Sequence, residues 1–239
     1  MAAGRGERLG ADVPKALVRI GDCSVLARSA AALGAATCVS AVLPVVTPGA
    51  EASFEELRRC WKGPATLLDP VFGGATRQAS VARGLAELER RIHALEWVLV
   101  HDAARCLVEP EDAMTVLQAA QGTGAAIPVV PVTDTLKEID RQHVVSTPDR
   151  TRYGRAQTPQ AFRVELLRRA LELAERDGFQ GTDCASLVER LGVAVRVCRG
   201  REENIKLTTA EDLARIQSLL ARAQLEPPTP RARAAGDVT

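Results

Sequence analysis

The sequence predicts an α/β fold on a mostly parallel sheet, and two observations carry that reading. Short apolar runs at 39–46, 65–68, 97–100, 125–130 and 193–197 alternate with segments of helical period at 24–33, 52–60, 78–91, 112–120, 164–176 and 184–191. Strands alternating with helices are the pattern of βαβ units, whose strands run parallel. In addition, Trp97-Val-Leu-Val and Ala125-Ala-Ile-Pro-Val-Val are apolar almost throughout, as strands covered on both faces must be.

Taken in order, the chain opens on a Gly-rich stretch with no strand before it, Met1-Ala-Ala-Gly-Arg-Gly-Glu-Arg-Leu-Gly10. A loop of this kind normally follows a strand, so either the start lies upstream or the strand is missing. The alternation then runs to Val130. Residues 134–158 break it: they hold two short β-like runs, 135–139 and 143–146, around Asp140-Arg141-Gln142, and read as a hairpin arm projecting from the sheet. Helical period resumes at Val164. Thr209-Ala-Glu-Asp212 resembles a capping box opening a last helix over 211–223. Residues 226–239 are rich in Pro, Ala and Arg and read as a disordered tail. One domain over 1–225 is expected, with no second catalytic domain after it.

Composition excludes several classes. The chain has 239 residues, 46% apolar and 26% charged, with net charge +1. That suits a soluble core-bearing domain and suggests neither a nucleic-acid surface nor an acidic tail. No apolar run reaches the roughly 18–20 residues of a membrane helix, and the N-terminus lacks the apolar core of a secretory signal. Six cysteines form no C-x-x-C pair, so free thiols in a cytoplasmic setting are expected rather than zinc or disulfides. The basic residues number 31, but only Lys15, Lys62, Lys137 and Lys206 are lysines. A lysine at a motif position therefore carries more weight than an arginine.

Four sets of residues could carry chemistry. The loop Ala2, Ala3, Gly4, Gly6, Arg8, followed by Pro14-Lys15, offers backbone N–H groups and cations to phosphates. Leu9 breaks the dinucleotide fingerprint, and no G-K-[ST] follows. Next, Val100-His101-Asp102-Ala103-Ala104-Arg105 ends a strand on a carboxylate, where open α/β sheets bind ligands; taken alone, Asp102 is better explained as a helix N-cap. Gly73-Gly74-Ala75-Thr76-Arg77-Gln78-Ala79-Ser80 gives a tight loop with Ser80 early in a helix, able to meet a base or to bond within its own helix. Late polar stops contain Arg150, Thr158, Thr182 and Lys206. Lys206, between Ile205 and Leu207, could aim a cation at the sheet edge. Elbow serines, Cys/His pairs and His-rich sites are lacking. Cations, glycines, hydroxyls and one or two carboxylates are the kit for phosphoryl or nucleotidyl transfer.

In order, AAGxGxR, PK, GGxxRxxS, VHDAAR, Asp134-Thr135, AQTPQAF, Thr182-Asp183 and ENIKLT resemble the 2-C-methyl-D-erythritol 4-phosphate cytidylyltransferases, from Ala2 to about Leu213. The resemblance implies a Rossmann-like three-layer nucleotidyltransferase fold. It implies that Arg8 and Lys15 clamp the CTP triphosphate, with Lys206 at the α-phosphate. Ala2, Ala3, Gly74 and Ser80 would hold the cytosine, and Gly4 and Asp102 the ribose, with Gly6 and Ala103 beside them. Arg150, Thr158 and Thr182 would bind the methylerythritol phosphate. Thr135 and Arg105 would reach it across a homodimer interface made by exchanged arms. Mg²⁺ is the implied cofactor, held mainly by CTP phosphates near Asp102. No nucleic-acid or membrane partner is expected. The chain departs from the family pattern by lacking the first strand and its proline, by Cys106 in place of proline, and by Ala75 where some members carry Asp. Rival readings are a ribitol 5-phosphate cytidylyltransferase and a nucleotide-binding protein without turnover.

Overall fold

The computed structural model describes residues 1–2 and 17–225. A small hairpin, β1 (Arg19–Ile20) and β2 (Cys23–Ser24), leads into α1 (Val25–Gly34), whose N-terminus Ser24 caps by accepting from Ala27 N at 3.2 Å. Then follow β3 (Ala41–Val42), β4 (Val45–Val46), α2 (Glu51–Cys60), β5 (Thr66–Leu67), β6 (Val71–Phe72), α3 (Arg77–Arg91), β7 (Trp97–Val100), α4 (Pro110–Ala120) and β8 (Ala125–Pro131). Strands β9 (Glu138–Asp140) and β10 (His143–Ser146) form the arm. After β11 (Gly154–Ala156), β12 (Gln160–Arg163), α5 (Val164–Arg176), α6 (Cys184–Glu189) and β13 (Arg196–Arg199), α7 (Ala210–Leu225) closes the described chain.

The alternation has the expected outcome. β3 runs parallel to β5, β4 to β6, and β13 to β8. Met1 and Ala2 lie between the two halves. Met1 N donates to His101 O at 2.7 Å, Ala103 N donates to Met1 O at 3.0 Å, and Ala2 bridges Val46 in parallel. This is a parallel ladder in which Met1 faces Asp102. Helix boundaries agree with the periodic segments to within two or three residues, as helix ends usually do. Thr209 N donates to Asp212 Oδ2 at 2.9 Å, and Asp212 N to Thr209 Oγ1 at 3.3 Å, which is the anticipated capping box.

Three features differ from the expectation. β12 runs antiparallel between β7 and β8, in the middle of the sheet. Its Gln160 is buried but satisfied, donating to Asp183 Oδ2 at 2.7 Å and accepting from Cys184 N at 3.2 Å. Phe162 beside it is wholly buried in the largest apolar cluster, with Leu167 and Val188. β11, placed in the arm on sequence, pairs instead with β8. The run at 193–197 becomes β13 three residues later, with Val193 and Val195 packed against the core as part of its approach. The arm proper is β9–β10, exposed at every residue. The tail 226–239 lies outside the described residues.

Candidate functional site

The site is built at the carboxyl ends of β4, β6 and β7, the edge at which open α/β sheets receive ligands. β7 delivers His101 and Asp102 immediately after its last residue. β6 runs into Gly73-Gly74, and Thr76 caps α3 by accepting from Ala79 N at 3.1 Å. The segment after β13 crosses the same edge, pinned where Leu207 N donates to Ala104 O at 2.8 Å. Ile205 and Leu207 pack into an apolar cluster with Val18 and Ile216, so the residue between them, Lys206, points the other way.

Asp102 is the centre of the arrangement. One oxygen receives Arg77, with Nε at 3.1 Å and Nη2 at 3.0 Å; the other receives Lys206 Nζ at 2.7 Å. The Asp102 side chain is 13% exposed, against 29% for Arg77 and 44% for Lys206. Burial alone would raise the carboxyl pKa, but the Arg77 and Lys206 charges outweigh it and hold the group well below the usual carboxylate range. The site therefore presents a permanent anion between two cations, one of them reaching into solvent.

Beneath Asp102 a run of hydrogen bonds fixes the backbone. Asp102 N donates to Thr158 Oγ1 at 3.1 Å, and Thr158 Oγ1 lies 3.1 Å from His101 Nδ1. His101 Nε2 lies 3.2 Å from Arg105 O. A carbonyl only accepts, so Nε2 carries the proton, Nδ1 accepts, and the Thr158 hydroxyl donates to it. Burial, reinforced by the positive N-terminus, pushes the His101 pKa down to about 3, so the ring is neutral. Asn204 Nδ2 donates to Thr158 O at 3.0 Å, and Arg105 Nη1 to Asn204 O at 2.7 Å.

The Gly73-Gly74 loop is closed by Ser80, which accepts from Gly74 N at 3.0 Å and donates to Thr76 O at 2.8 Å. The hydroxyl is thus used within its own helix and loop, the second of the two readings open for it. A Cβ at Gly74 would lie 2.6 Å from Ala79 Cβ, so the close approach of loop and helix requires glycine.

The other residues singled out on sequence are distributed as follows. Ala2 and Ala103 are buried in one small cluster with Leu26 and Val46. Arg105 is tied within its own chain, also to Ala156 O at 3.1 Å, and burial lowers its pKa. Thr158 is 4% exposed, so its hydroxyl serves the backbone of the site rather than its mouth. Thr135 and Thr182 are exposed and make no hydrogen bond to the Asp102 cluster among the described residues. Arg150, exposed, donates to Thr133 O. Ala3, Gly4, Gly6, Arg8 and Lys15 lie outside the described residues. Arg77, His101, Gln157 and Asn204 were not singled out. Arg77 is one of many arginines, and Gln157 and Asn204 meet their side-chain partners only across long stretches of chain, as His101 does Thr158.

No group of three or more His, Cys, Asp or Glu side chains able to hold a metal occurs among the described residues. Asp102 is the single carboxylate of the cluster. Such a donor set suits a Mg²⁺ bound chiefly through a ligand's phosphates, with one protein carboxylate beside it.

An α/β sheet with a cation–carboxylate cluster at its carboxyl edge, beside a Gly-Gly loop, is a frame of the class suited to receiving a nucleotide's phosphates. The comparisons make this particular. The family described as IspD, 2-C-methyl-D-erythritol 4-phosphate cytidylyltransferase, matches residues 1–222. The chain belongs to that family. A cytidylyltransferase of this name from Desulforamulus reducens is 37% identical over 222 residues, covering 92% of this chain and 94% of its own. A bifunctional IspD/IspF enzyme from a Bradyrhizobium species is 43% identical over 227 residues, covering 94% of this chain and 56% of its own. The chain thus spans about half the length of the bifunctional relatives it matches. The Thermus thermophilus cytidylyltransferase crystal structure matches with TM-score 0.72 and 38% identity, covering 87% of this chain and 94% of that one. The Anaerococcus prevotii 4-diphosphocytidyl-2C-methyl-D-erythritol synthase matches with TM-score 0.80 and 28% identity, covering 92% and 93%.

Proposed function

We propose that this chain transfers CMP from CTP to 2-C-methyl-D-erythritol 4-phosphate, releasing pyrophosphate. The observation that carries this reading is the Arg77–Asp102–Lys206 cluster at the sheet edge, in a chain matched by the family from its first residue to the last helix. A phosphate oxygen of the substrate forms a bond to the α-phosphorus of CTP. The α–β phosphoanhydride bond breaks, and its electron pair leaves with pyrophosphate. The nucleophile is already an anion, so no general base is required, and the barrier is repulsion between anions. Lys206 sits where it can trade part of its contact with Asp102 for the α-phosphate. Asp102, held ionised, keeps Lys206 oriented and faces the ribose. Gly74 and Ser80 shape the wall that takes the cytosine, with Ala2 and Ala103 behind it. Arg8 and Lys15 would supply the triphosphate clamp, with Ala3 at the cytosine, Gly4 at the ribose and Gly6 beside them.

Arg150 and Thr182, with Thr158 holding the wall behind them, would receive the polyol phosphate. Thr135 and the exposed arm would complete the pocket of a second copy, making the working unit a homodimer. Mg²⁺ would neutralise developing charge on the CTP phosphates; Asp102 is the residue able to hold it. Residues 1–225 form one cytidylyltransferase domain in this reading. Six free thiols suit the cytoplasm, and no helix among the described residues is long and apolar enough to cross a membrane.

The test is pyrophosphate release from CTP and Mg²⁺, with methylerythritol 4-phosphate and ribitol 5-phosphate in parallel. Release with the first alone is expected. Release with ribitol 5-phosphate alone moves the chain to that activity, and silence with both overturns the reading of turnover. Lys206→Ala and Lys15→Ala should each slow turnover by at least about 10²-fold, as loss of a positioned charge does.

A further inference from the structure

A short crossing between α5 and α6, residues 178–183, carries Thr182. Its entry is fixed where Gly178, at φ +63°, turns the chain off α5 and Phe179 N donates to Ala174 O at 2.8 Å. Its exit is fixed by Asp183, which caps α6 by accepting from Ser186 N at 2.9 Å. Gln160 of β12 grips that exit, donating to Asp183 Oδ2 and accepting from Cys184 N. Between these ends the chain is pressed onto α6. A Cβ at Gly181 would lie 2.6 Å from both Leu187 Cδ2 and Ser186 Oγ, and the Arg190 guanidinium stacks 4.2 Å over the Phe179 ring.

The opposite side of the crossing is held from α3, by Gln78. Its Nε2 donates to Phe179 O at 3.2 Å, and its Oε1 accepts from Gly181 N at 3.2 Å. A carbonyl only accepts and a main-chain N–H only donates, so a primary amide fits here in one orientation. Arg77, the residue before it, holds Asp102 and also donates to Cys184 Sγ at 3.5 Å. The first turn of α3 thus carries the charge cluster on one residue and the Thr182 crossing on the next. Thr182 follows Gly181 directly, with its side chain exposed.

We propose that Gln78 is a positioning residue for the polyol phosphate: its amide holds the main chain before Thr182 in the shape that receives this ligand, as Gln160 holds the chain after it. The inference rests on the proposed reaction, in which Thr182 meets the polyol phosphate. A loop held in advance spares the ligand the cost of ordering it. Gln78 touches no reacting atom. Its loss therefore weakens the binding of one substrate, in the ground state and the transition state alike, and leaves the chemical step as it was. CTP meets the Gly74 loop instead, which Thr76 and Ser80 close without Gln78.

The test is Gln78→Met, which fills the same space and makes neither bond. The KM for methylerythritol 4-phosphate should rise roughly tenfold, the worth of two neutral hydrogen bonds. The kcat and the KM for CTP should stay within about twofold of the unsubstituted chain. Gln78→Ala should behave like Gln78→Met, because the bonds act and not the bulk. Amide exchange at Gly181 should quicken at least about fivefold in Gln78→Met, while Ser186 keeps its rate. Gln180→Ala, which removes an exposed amide of the same crossing, should change neither readout. An unchanged KM, an unchanged Gly181 rate, recovery in Gln78→Met relative to Gln78→Ala, or an equal rise in the KM for CTP overturns the proposal. Silence of the unsubstituted chain with methylerythritol 4-phosphate overturns the reaction and this role together. Turnover in that chain with an unmoved KM in the variant overturns the role alone.

Discussion

Replacing Asp102 by Asn removes a charge while keeping the shape. The carboxylate is 13% exposed and serves two cations at 2.7–3.1 Å. Removing one partner of a fully buried ion pair costs about 3–5 kcal/mol, because the surviving charge is left uncompensated. Here Arg77 is the partner left stranded, since Lys206 can turn to water and its share is closer to that of a surface pair, up to about 1 kcal/mol. The expected loss at pH 7 is therefore about 2–3 kcal/mol, read from urea unfolding. Asp102 has a lowered folded pKa. Its contribution is present above the unfolded value near 3.8 and disappears as pH falls through and below it, so wild type and variant should converge in acid. Lys206→Ala should cost less stability than Asp102→Asn, yet far more turnover. A variant within about 0.5 kcal/mol of wild type at pH 7, the scatter of ordinary surface substitutions, would refute the reasoning. So would a Lys206→Ala loss exceeding that of Asp102→Asn.

The neutral, buried His101 gives a slope of the same sign, but at higher pH. Its folded pKa of about 3 lies below the unfolded value, so the unfolded chain takes up the proton first; stability should fall by about 2–3 kcal/mol from pH 6.5 to 4.5. His101→Gln should flatten that part of the curve, and an unchanged slope would count against it. Thr158→Val leaves His101 Nδ1 and Asp102 N unpaired in the interior and should cost about 1–3 kcal/mol, whereas Thr158→Ser restores most of it; equal losses would refute the bonding scheme. Gly74→Ala places a Cβ 2.6 Å from Ala79 Cβ. It should raise the Kd for CTP by pushing the loop off α3, which calorimetry would show.

Much of the scaffold was legible because it rests on periodicity. The helices and most of the parallel strands follow from apolar spacing, whereas β6 (Val71–Phe72) lies outside the apolar runs and was missed. β12 was not legible, because only Ala161 and Phe162 are apolar in a run beginning with Gln160, whose burial is made possible by Asp183 and Cys184 N. Within the site, Lys206 stood out because lysine is scarce here and its neighbours are apolar. Arg77 did not, since a single arginine among so many carries no signal. The link between Thr158 and His101 spans 57 residues, a distance over which no local pattern operates.

Asp102 meets Arg77 across 25 residues, Thr158 across 56 and Lys206 across 104. The cluster is thus a product of late assembly. During synthesis the carboxylate and its first cation emerge long before the lysine that completes them, and contacts between such distant segments form slowly. A nascent or C-terminally clipped chain can hold most of its sheet and still lack the finished charge cluster. The charge cluster is thereby completed only once the chain has been made as far as Lys206.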